Sequence, residues 1–383
     1  MATVPSGGNF RSLRLAFIGL RGLPSDLPKA GGGERETEAK ATRLVKRGHR
    51  VLVYCRWHYN RHPASPYQGI RLISLPSIPT KNLDTVSHSL LATIHACVTD
   101  SADIISFHGM GNALFVPLVR LARKRCVVYM DGIDWERPKW GWMARRALQL
   151  AANMALRWAD EVYVDNRSSQ ALFQKSFGKS PQVITLGADL WADPGTDLLQ
   201  QYGLQPHRYL LFVGLLKPDK GVHILINAYE KLHTDIPLII VGDSPDGGTY
   251  VEQLKSTSDK RIHFLGYVYG KTAQQLFANA LIYIQPSLME GNSPALMSAM
   301  ACQRCVVVSD IDQNLETVGK AGLSFRSNDP ESLRNVLAQL LNNPGKIKVL
   351  GSKARQRIET TYTWDAVVDQ LEQLYWGLSS GPD

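Results

Sequence analysis

The sequence has no long uninterrupted apolar run. Its longest candidates, residues 209–216 and 236–241, have the length of β-strands, whereas a membrane-spanning helix requires roughly 18 apolar residues. Residues 1–14 contain neither a long apolar core nor a small-residue cleavage site, so we expect no secretory signal. Five cysteines in 383 residues are too few for a disulfide framework, which favours a reducing, cytoplasmic environment.

The sequence also lacks the signatures of nucleic-acid recognition. It contains no basic block interleaved with aromatics, no zinc-finger spacing and no RNA-binding motif. The net charge of +9 is moderate and is spread along the chain. It suits anionic partners such as nucleotide diphosphates, lipid phosphates or an acidic membrane face. We therefore expect no nucleic-acid partner.

Short apolar runs alternate with helical periodicity along the whole chain, which is typical of α/β proteins with parallel sheets. At roughly 150 residues per domain, the length predicts two domains. A stretch rich in Gly, Asp and Pro, residues 186–194, interrupts the alternation and predicts a linker. We expect two doubly wound, Rossmann-like domains, 1–188 and 189–362, that face each other across a cleft. Ligands of such sheets bind outside the carboxyl ends of the strands.

The first candidate motif is a glycine-rich loop between a predicted strand and a predicted helix. It includes Gly19, Gly22 and the run 31–33, followed by Glu34. Glycines there let backbone N–H groups approach a phosphate, and the helix N-terminus adds a favourable dipole. The spacing matches neither the dinucleotide fingerprint nor a Walker loop. A flexible turn explains the glycines equally well.

The second motif, residues 214–221, places two lysines after a predicted strand and just before a helix. A lysine at such a position can neutralise a departing diphosphate. We interpret Lys217 as a solvated turn lysine. Lys220, between Asp219 and Gly221, is the candidate for diphosphate binding.

The third motif, residues 286–294, leads into a helix whose start is well specified. Ser293 is a plausible N-cap and Pro294 occupies the first helical position. A capping turn explains these two residues, but it does not explain the glutamate, glycine and asparagine of 290–292. Backbone donors at an open helix N-terminus can bind hydroxyl or phosphate oxygens, and the carboxylate of Glu290 can accept hydrogen bonds from sugar hydroxyls.

Two polar residues follow predicted strands of the first half, His108 and Asp131. Each has a structural alternative, because a lone histidine is often a hydrogen-bonding core residue and an aspartate often caps the next segment. Their shared position at strand ends makes both candidate site residues, Asp131 more than His108.

Two further patterns are given structural interpretations. Cys302 and Cys305 have a metal-ligand spacing, but no second pair completes a zinc site, so packing is the predicted role. Polar residues recur every four positions from Arg145 to Arg157 on an otherwise apolar helix. This stripe predicts a buried helix with one solvated edge rather than a membrane anchor.

Taken together, the motifs at Gly31–Glu34, Lys220–Gly221 and Glu290–Gly291 resemble those of the retaining glycosyltransferases of family 4, which have the GT-B fold. The resemblance covers nearly the whole chain. It is closer to a bacterial surface-polysaccharide branch that includes rhamnosyltransferases. The stretches that carry this narrower resemblance are 53–56, 80–85, 131–140 and 262–270.

The resemblance implies roles for individual residues. Asp131, Lys220 and Glu290 are expected to be catalytic, Lys220 by neutralising the donor diphosphate and Glu290, with the backbone of 291–293, by holding the donor sugar. The C-terminal helix, 363–383, is expected to pack back onto the first domain, which would bind the acceptor. The residues expected to bind substrate are Gly31, Gly32, Arg56, Lys81, His108, Gly291, Asn292, Ser293 and Ser298.

The resemblance further implies sugar transfer from a nucleotide-diphosphate donor to a saccharide or lipid-diphosphate-linked acceptor, with retention and without metal or other cofactor. The acceptor would lie at the inner membrane face, and the basic and aromatic residues 135–142, Arg145 and Arg146 are expected to lie near that anionic membrane surface. Two departures leave alternatives open. Ser298 replaces a second family glutamate and Leu215 replaces an arginine, so a degenerate scaffold or regulator remains an alternative. A sugar-nucleotide epimerase or hydrolase of the same fold is another.

Overall fold

The computed structural model divides the chain into two compact units. The first contains Met1–Asp165, Ser169–Ile184 and Val367–Asp383, and the second contains Asn166–Ser168 and Thr185–Ala366. The structure describes residues 12–25, 32–61, 64–80, 83–99, 102–130, 135, 141–191, 193–244 and 247–379.

The first unit is built on a seven-stranded sheet. Its strands are β1 (Arg14–Ile18), β2 (Arg50–Arg56), β3 (Arg71–Leu75), β4 (Ile104–His108), β5 (Arg125–Met130), β6 (Glu161–Val164) and β7 (Gln182–Val183). They pair in the order β3-β2-β1-β4-β5-β6-β7, and every pair is parallel. Apolar residues fill most positions on both faces of the central strands, as a parallel sheet covered on both sides requires.

Five helices connect these strands. They are α1 (Gly32–Lys46), α2 (Asp84–Val98), α3 (Val116–Leu121), α4 (Trp142–Trp158) and α5 (Arg167–Phe177). On one side of the sheet, small residues of α2 and α4 pack with α3 against alternate residues of β1, β2, β4 and β5. Helix α1 ends before Gly48, which has φ +92° and therefore adopts a conformation that favours glycine.

The second unit contains a six-stranded parallel sheet. Its strands are β8 (Leu210–Val213), β9 (Leu238–Val241), β10 (Ile262–Gly266), β11 (Ile282–Gln285), β12 (Cys305–Ser309) and β13 (Leu323–Phe325). The order β10-β9-β8-β11-β12-β13 reverses direction between β8 and β11. The two sheets confirm the predicted pair of doubly wound domains. The short strands β7 and β13 were not predicted, because two or three residues carry too little pattern.

Helices follow most strands of the second unit. They are α6 (Val222–Glu230), α7 (Thr249–Lys255), α8 (Gly270–Asn279), α9 (Pro294–Ala301), α10 (Asp312–Val318), α11 (Pro330–Leu341) and α12 (Pro344–Thr361). In the described part of the chain, no helix combines the length and the apolarity that crossing a bilayer requires.

The last helix, α13 (Trp364–Ser379), begins in the second unit and belongs to the first unit from Val367 onward. Its buried side includes Val367, Leu371 and Tyr375. Its polar side is held by the end of α1: Arg47 donates to Asp369 over 2.6 Å and also pairs with Glu372. The Nε2 atom of His49 lies 2.7 Å from Glu372 Oε1.

Candidate functional site

The candidate site of the second unit lies at the carboxyl ends of two neighbouring strands, β8 and β11. These strands flank the point where the strand order reverses, which is where doubly wound sheets bind ligands. The loop after β8, residues 214–221, carries the lysine motif, and the loop after β11, residues 286–293, carries the glutamate motif. Both predicted motifs therefore meet at one edge of one sheet.

Lys220 and Glu290 form an ion pair across these loops. Lys220 Nζ lies 2.7 Å from Glu290 Oε2, and the two side chains are 22% and 8% exposed. The loops are also joined through the backbone, because the N–H of Leu288 donates to the carbonyl of Asp219 over 2.8 Å. The ammonium group is thus held at a defined place while part of it stays open to solvent.

The carboxylate of Glu290 is oriented by a buried polar network. Its Oε1 atom accepts hydrogen bonds from Gln285 Nε2 at 2.8 Å and from Ser287 Oγ at 2.7 Å. The amide oxygen of Gln285 in turn accepts from Tyr283 OH at 2.5 Å and from Ser293 Oγ at 3.2 Å. Burial, with the Glu290 charge nearby, raises the pKa of Tyr283 well above its usual value, so its hydroxyl keeps the proton that it donates.

Two further residues, Ser309 and Asn314, extend this network through the backbone of Ser287. Ser309 Oγ donates to the carbonyl of Ser287, and Asn314 Nδ2 donates to Ser309 Oγ over 2.9 Å. Sequence reasoning missed Tyr283, Gln285, Ser287, Ser309 and Asn314. A detectable signal was the polar residue Gln285 at the end of an otherwise apolar buried strand.

Helix α9 starts as predicted directly behind this carboxylate. The Ser293 side chain accepts from the N–H of Leu296 over 3.3 Å, and Pro294 follows as the first helical residue. Gly291 and Asn292 are half-buried between Glu290 and the cap. The helix N-terminus and the Lys220 ammonium both favour a negatively charged ligand at this edge.

The two departures from the family pattern lie in the same unit. Ser298 is half-buried in α9, and Leu215 is exposed in the loop after β8. Neither supplies a charge. Lys217 is half-buried, and its side chain has no hydrogen bond or ion pair with any residue that the structure describes.

In the first unit, the glycine-rich loop packs closely against the end of β4. Gly19 has φ +112°, and a Cβ atom there would lie 2.3 Å from the carbonyl oxygen of His108. The loop amide of Arg21 donates to Glu34 Oε1 over 3.0 Å, so a carboxylate of α1 already satisfies one loop donor. Gly32 is exposed at the start of α1.

His108 is a buried, neutral residue at the end of β4. Its Nδ1 lies 3.4 Å from the Thr37 hydroxyl, and its Nε2 has no partner among the described residues. Asn112 Nδ2 donates to its carbonyl over 2.5 Å. Burial, assisted by the positive charge of Lys40, lowers the pKa of His108 to about 3. The imidazole therefore stays uncharged at neutral pH.

The buried state of His108 predicts a pH-dependent stability. In the unfolded chain its pKa is the ordinary 6.5, so below that pH the unfolded state binds a proton that the folded state does not. Its contribution to stability is complete above pH 6.5 and is lost as pH falls toward 3. Between pH 7 and 5 the loss is about 2 kcal/mol. Urea unfolding at both pH values should show a smaller difference for His108→Gln than for the wild type, and equal differences would contradict this assignment.

Arg56, at the end of β2, is turned toward α2. It donates to Asp84 Oδ2 over 2.7 Å and to Thr85 Oγ1 over 3.0 Å. Burial would raise the pKa of Asp84, but a hydrogen bond from Ser77 and the charge of Arg56 outweigh it and lower that pKa. The Arg56 guanidinium is thus buried in a protein ion pair, and its predicted acceptor contact stays a prediction.

Three predicted site residues, Gly31, Lys81 and Asp131, lie outside the described residues, as do residues 136–140. The roles expected for them stay predictions.

The interpretation of α4 as a buried helix with one solvated edge is wrong. Only three alanines, at 151, 152 and 155, are buried, whereas Trp142 and Leu150 are exposed along with Arg145 and Arg157. Alanines let this helix lie close to the sheet, Leu148 and Leu156 are partly buried beside them, and the remaining large side chains, such as Trp142 and Leu150, are exposed. Cys302 and Cys305 are free thiols at the end of α9 and the start of β12.

Two family sequence profiles match the chain. The family described as "Glycosyl transferase 4-like domain" matches residues 31–188, and "Glycosyl transferases group 1" matches residues 207–343. Between them they cover more than half of the chain, one profile on each half.

Several curated proteins are similar in sequence. The chain is 28% identical over 184 residues to an O-antigen chain mannosyltransferase B of Escherichia coli, covering 46% of this chain and 48% of the relative. It is 26% identical over 198 residues to the D-rhamnosyltransferase WbpZ of Pseudomonas aeruginosa, covering 49% and 51%. The alignments thus span about half the length of the curated relatives.

Solved structures share the fold over nearly the whole chain. A sucrose-phosphate synthase from Thermosynechococcus elongatus matches with a TM-score of 0.82 at 21% identity, covering 96% of this chain and 99% of that one. HepE from Anabaena, solved in complex with UDP and glucose, matches with a TM-score of 0.79 at 21% identity, covering 95% and 100%. At this level of identity the likeness establishes the two-domain GT-B architecture.

Proposed function

Since the chain belongs to the group 1 and 4-like glycosyl transferase family, we propose that it transfers a sugar from a nucleotide-diphosphate donor to a saccharide acceptor. The observation that carries this proposal is the Lys220–Glu290 ion pair in front of the α9 N-terminus. A cation, a hydrogen-bonding carboxylate and the positive end of a helix dipole together suit a ligand that contains both phosphate and sugar hydroxyls.

The reaction breaks the bond between the anomeric carbon and a phosphate oxygen, and the bonding electrons leave with the diphosphate. The acceptor hydroxyl oxygen forms the new bond to the same carbon, and Asp131 orients that hydroxyl and takes its proton. The largest need is to stabilise the departing negative charge, which falls to Lys220 and to the amides at the α9 N-terminus. Gly31 and Gly32 are proposed to approach the same diphosphate.

Both oxygens of Glu290 already accept hydrogen bonds in this structure, one of them from Lys220. A donor diphosphate would therefore compete with Glu290 for the ammonium group. When Lys220 turns to the phosphate, Glu290 Oε2 becomes available to a hydroxyl of the donor sugar. One ion pair would thereby supply both contacts, with Ser287 and Gln285 holding the carboxylate in place.

The finer assignments follow from the relatives. The similarity to an O-antigen mannosyltransferase and a D-rhamnosyltransferase supports a mannosyl or rhamnosyl donor and a role in bacterial surface polysaccharide synthesis. The HepE complexes support a uridine nucleotide as an alternative. We propose retention of configuration, no metal requirement, and a lipid-diphosphate-linked acceptor at the cytoplasmic face of the inner membrane.

The test is a panel of UDP-, GDP- and dTDP-sugars, with nucleotide release and glycan product measured with and without a lipid-linked saccharide. We expect nucleotide release coupled to product in the presence of acceptor. Turnover of donor alone to an epimer or free sugar would favour the epimerase or hydrolase. Failure to bind any nucleotide in a calorimetric titration would support the degenerate scaffold, with Ser298 and Leu215 as the cause.

A further inference from the structure

Helices α2, α3 and α4 cover the same side of the first sheet. Small apolar residues of these helices face the sheet, and many of their large apolar residues face away from it. Toward the sheet they present small residues, such as Ala92 and Ala96 of α2 and Ala151 and Ala155 of α4. Helix α3 packs against both neighbours, so the three form one continuous layer. Many of the large apolar side chains are left on the outside, whereas Leu148 and Leu156 of α4 pack partly against the core.

The outer side of this layer carries an extended apolar surface. On α2, Val86, Leu90, Ile94 and Val98 recur every four residues and form one exposed stripe. Val98 is 78% exposed, Leu121 81% and Trp142 75%. We call this surface the outer helix face. Its exposed apolar residues are Leu83, Val86, Leu90, Leu91, Ile94, Val98, Leu118, Leu121, Trp142, Met143, Leu150 and Trp158.

The charge of the outer helix face is of one sign. Helix α4 contains three arginines and no acidic residue in seventeen positions. Arg146 and Arg157 are exposed and form no ion pair with any residue that the structure describes. Positive charge is thus interspersed with tryptophan, methionine and leucine on the same exposed side of α4.

Two shallow cavities at the edges of this layer are lined by cationic residues. One, of about 400 Å³, includes Arg14, Arg50, Arg71 and His95, and Arg14 is already paired with Asp103 at 2.6 Å, which leaves Arg50 and Arg71 for a phosphate. The register pairs Arg14 with Arg50, and Leu52 with Arg71, which places all three guanidinium groups on the sheet side that α2 covers. The other cavity, of about 330 Å³, includes Arg157 and Lys179, and no carboxylate lines either one.

We propose that the outer helix face binds the surface of an anionic bilayer, with the stripe on α2 and the exposed side of α4 in the interface and lipid phosphates in the two cavities. A mixture of exposed tryptophan, aliphatic and arginine side chains without acids is what an interfacial helix requires. A second copy of the chain is a poorer occupant, because it would place the same arginines against one another. The inference deepens the proposed function, since it rests on an acceptor that is lipid-linked.

The test is flotation of the full chain with vesicles of phosphatidylcholine alone or mixed with phosphatidylglycerol. We expect binding to the anionic vesicles only, weakened by salt. Arg146→Glu with Arg157→Glu should weaken binding by at least about 25-fold, roughly five-fold for each arginine lost near the surface. Val98→Asp with Leu121→Asp should weaken it at least as much, because both side chains are fully outside the core.

Matched controls come from α12 of the second unit. Lys348→Glu with Lys353→Glu makes the same charge change, and Val349→Asp introduces the same polar group on an exposed valine. These variants should bind vesicles as the wild type does. Thermal unfolding checks that every variant is folded. If the Val98→Asp and Leu121→Asp variant does not fold, the arginine variant still tests the proposal.

Absence of wild-type binding to anionic vesicles at low salt would overturn the proposal, and so would equal loss in the α12 controls. If the wild type does not bind vesicles but forms a concentration-dependent dimer, and the variants of the outer helix face abolish that dimer, the outer helix face binds a second copy of the chain instead. Nucleotide-sugar turnover with a water-soluble acceptor separates this proposal from the proposed function. The variants of the outer helix face should keep that turnover. Wild-type protein that binds vesicles but shows no turnover would contradict the proposed function alone.

Discussion

Replacement of Lys220 by alanine is expected to lower kcat by about 10²–10³-fold, the cost of removing one preorganised group that stabilises developing charge. The structure holds this ammonium group 2.7 Å from Glu290, at the carboxyl ends of β8 and β11. Without it, the diphosphate leaves against the helix amides alone. The measurement is the steady-state rate of nucleotide release under saturating donor and acceptor.

Lys217→Ala is the matched control, because it removes a lysine from the same loop whose side chain has no partner among the described residues. We expect it to change kcat less than about three-fold. Unchanged turnover in Lys220→Ala would remove this residue from the mechanism. Equal losses in both variants would show that the loop needs its total charge rather than one positioned ammonium.

Gly221→Ala is expected to destabilise the protein by about 3 kcal/mol and to lower turnover as well. Gly221 has φ +67°, and an added Cβ would lie 2.0 Å from the carbonyl oxygen of Pro286. That atom belongs to backbone, so the loop after β11 must move. Because Glu290 lies in the same loop, its contact with Lys220 is disturbed too. Urea unfolding measures the first effect and nucleotide release the second.

Gly203→Ala provides the comparison at nearly the same backbone conformation. Its φ is +65°, and an added Cβ meets nothing within 4 Å. This variant should therefore show only the cost of placing alanine in a left-handed conformation, about 1 kcal/mol. If both variants lose the same stability, the close approach of Gly221 to Pro286 does not constrain the site.

Much of the fold could be predicted from the sequence, because the signals are local. Apolar runs marked most strands, and Ser293 with Pro294 marked the start of α9, where the structure shows the predicted cap. Lys220 and Glu290 could be selected singly by their positions after strands. Their pairing could not, since it depends on strand order, which brings β8 and β11 together although 68 residues lie between the end of β8 and the start of β11.

The parts that could not be predicted depend on side-chain direction. The ion pair of Arg56 with Asp84, a partner 28 residues away, could not be foreseen, and the expected contact of Arg56 with substrate stays a prediction. The polar stripe on α4 does not show how little of the helix is buried, since its fully buried residues are three alanines and its large apolar residues are at most partly buried. The supporting residues of Glu290 came from β11, β12 and α10, and no local pattern links those elements.

Helix α13 has a consequence for the order in which the two units can fold. Its residues Val367, Leu371 and Tyr375 fill the interior of the first unit, yet the ribosome makes them after the entire second unit. Domains generally fold in the order of synthesis, but here the unit that emerges first waits for its last helix. We therefore expect the hydrophobic surface of the first unit to remain incomplete during translation while the second unit is already able to fold, so that the part of the chain made first gains its full stability last.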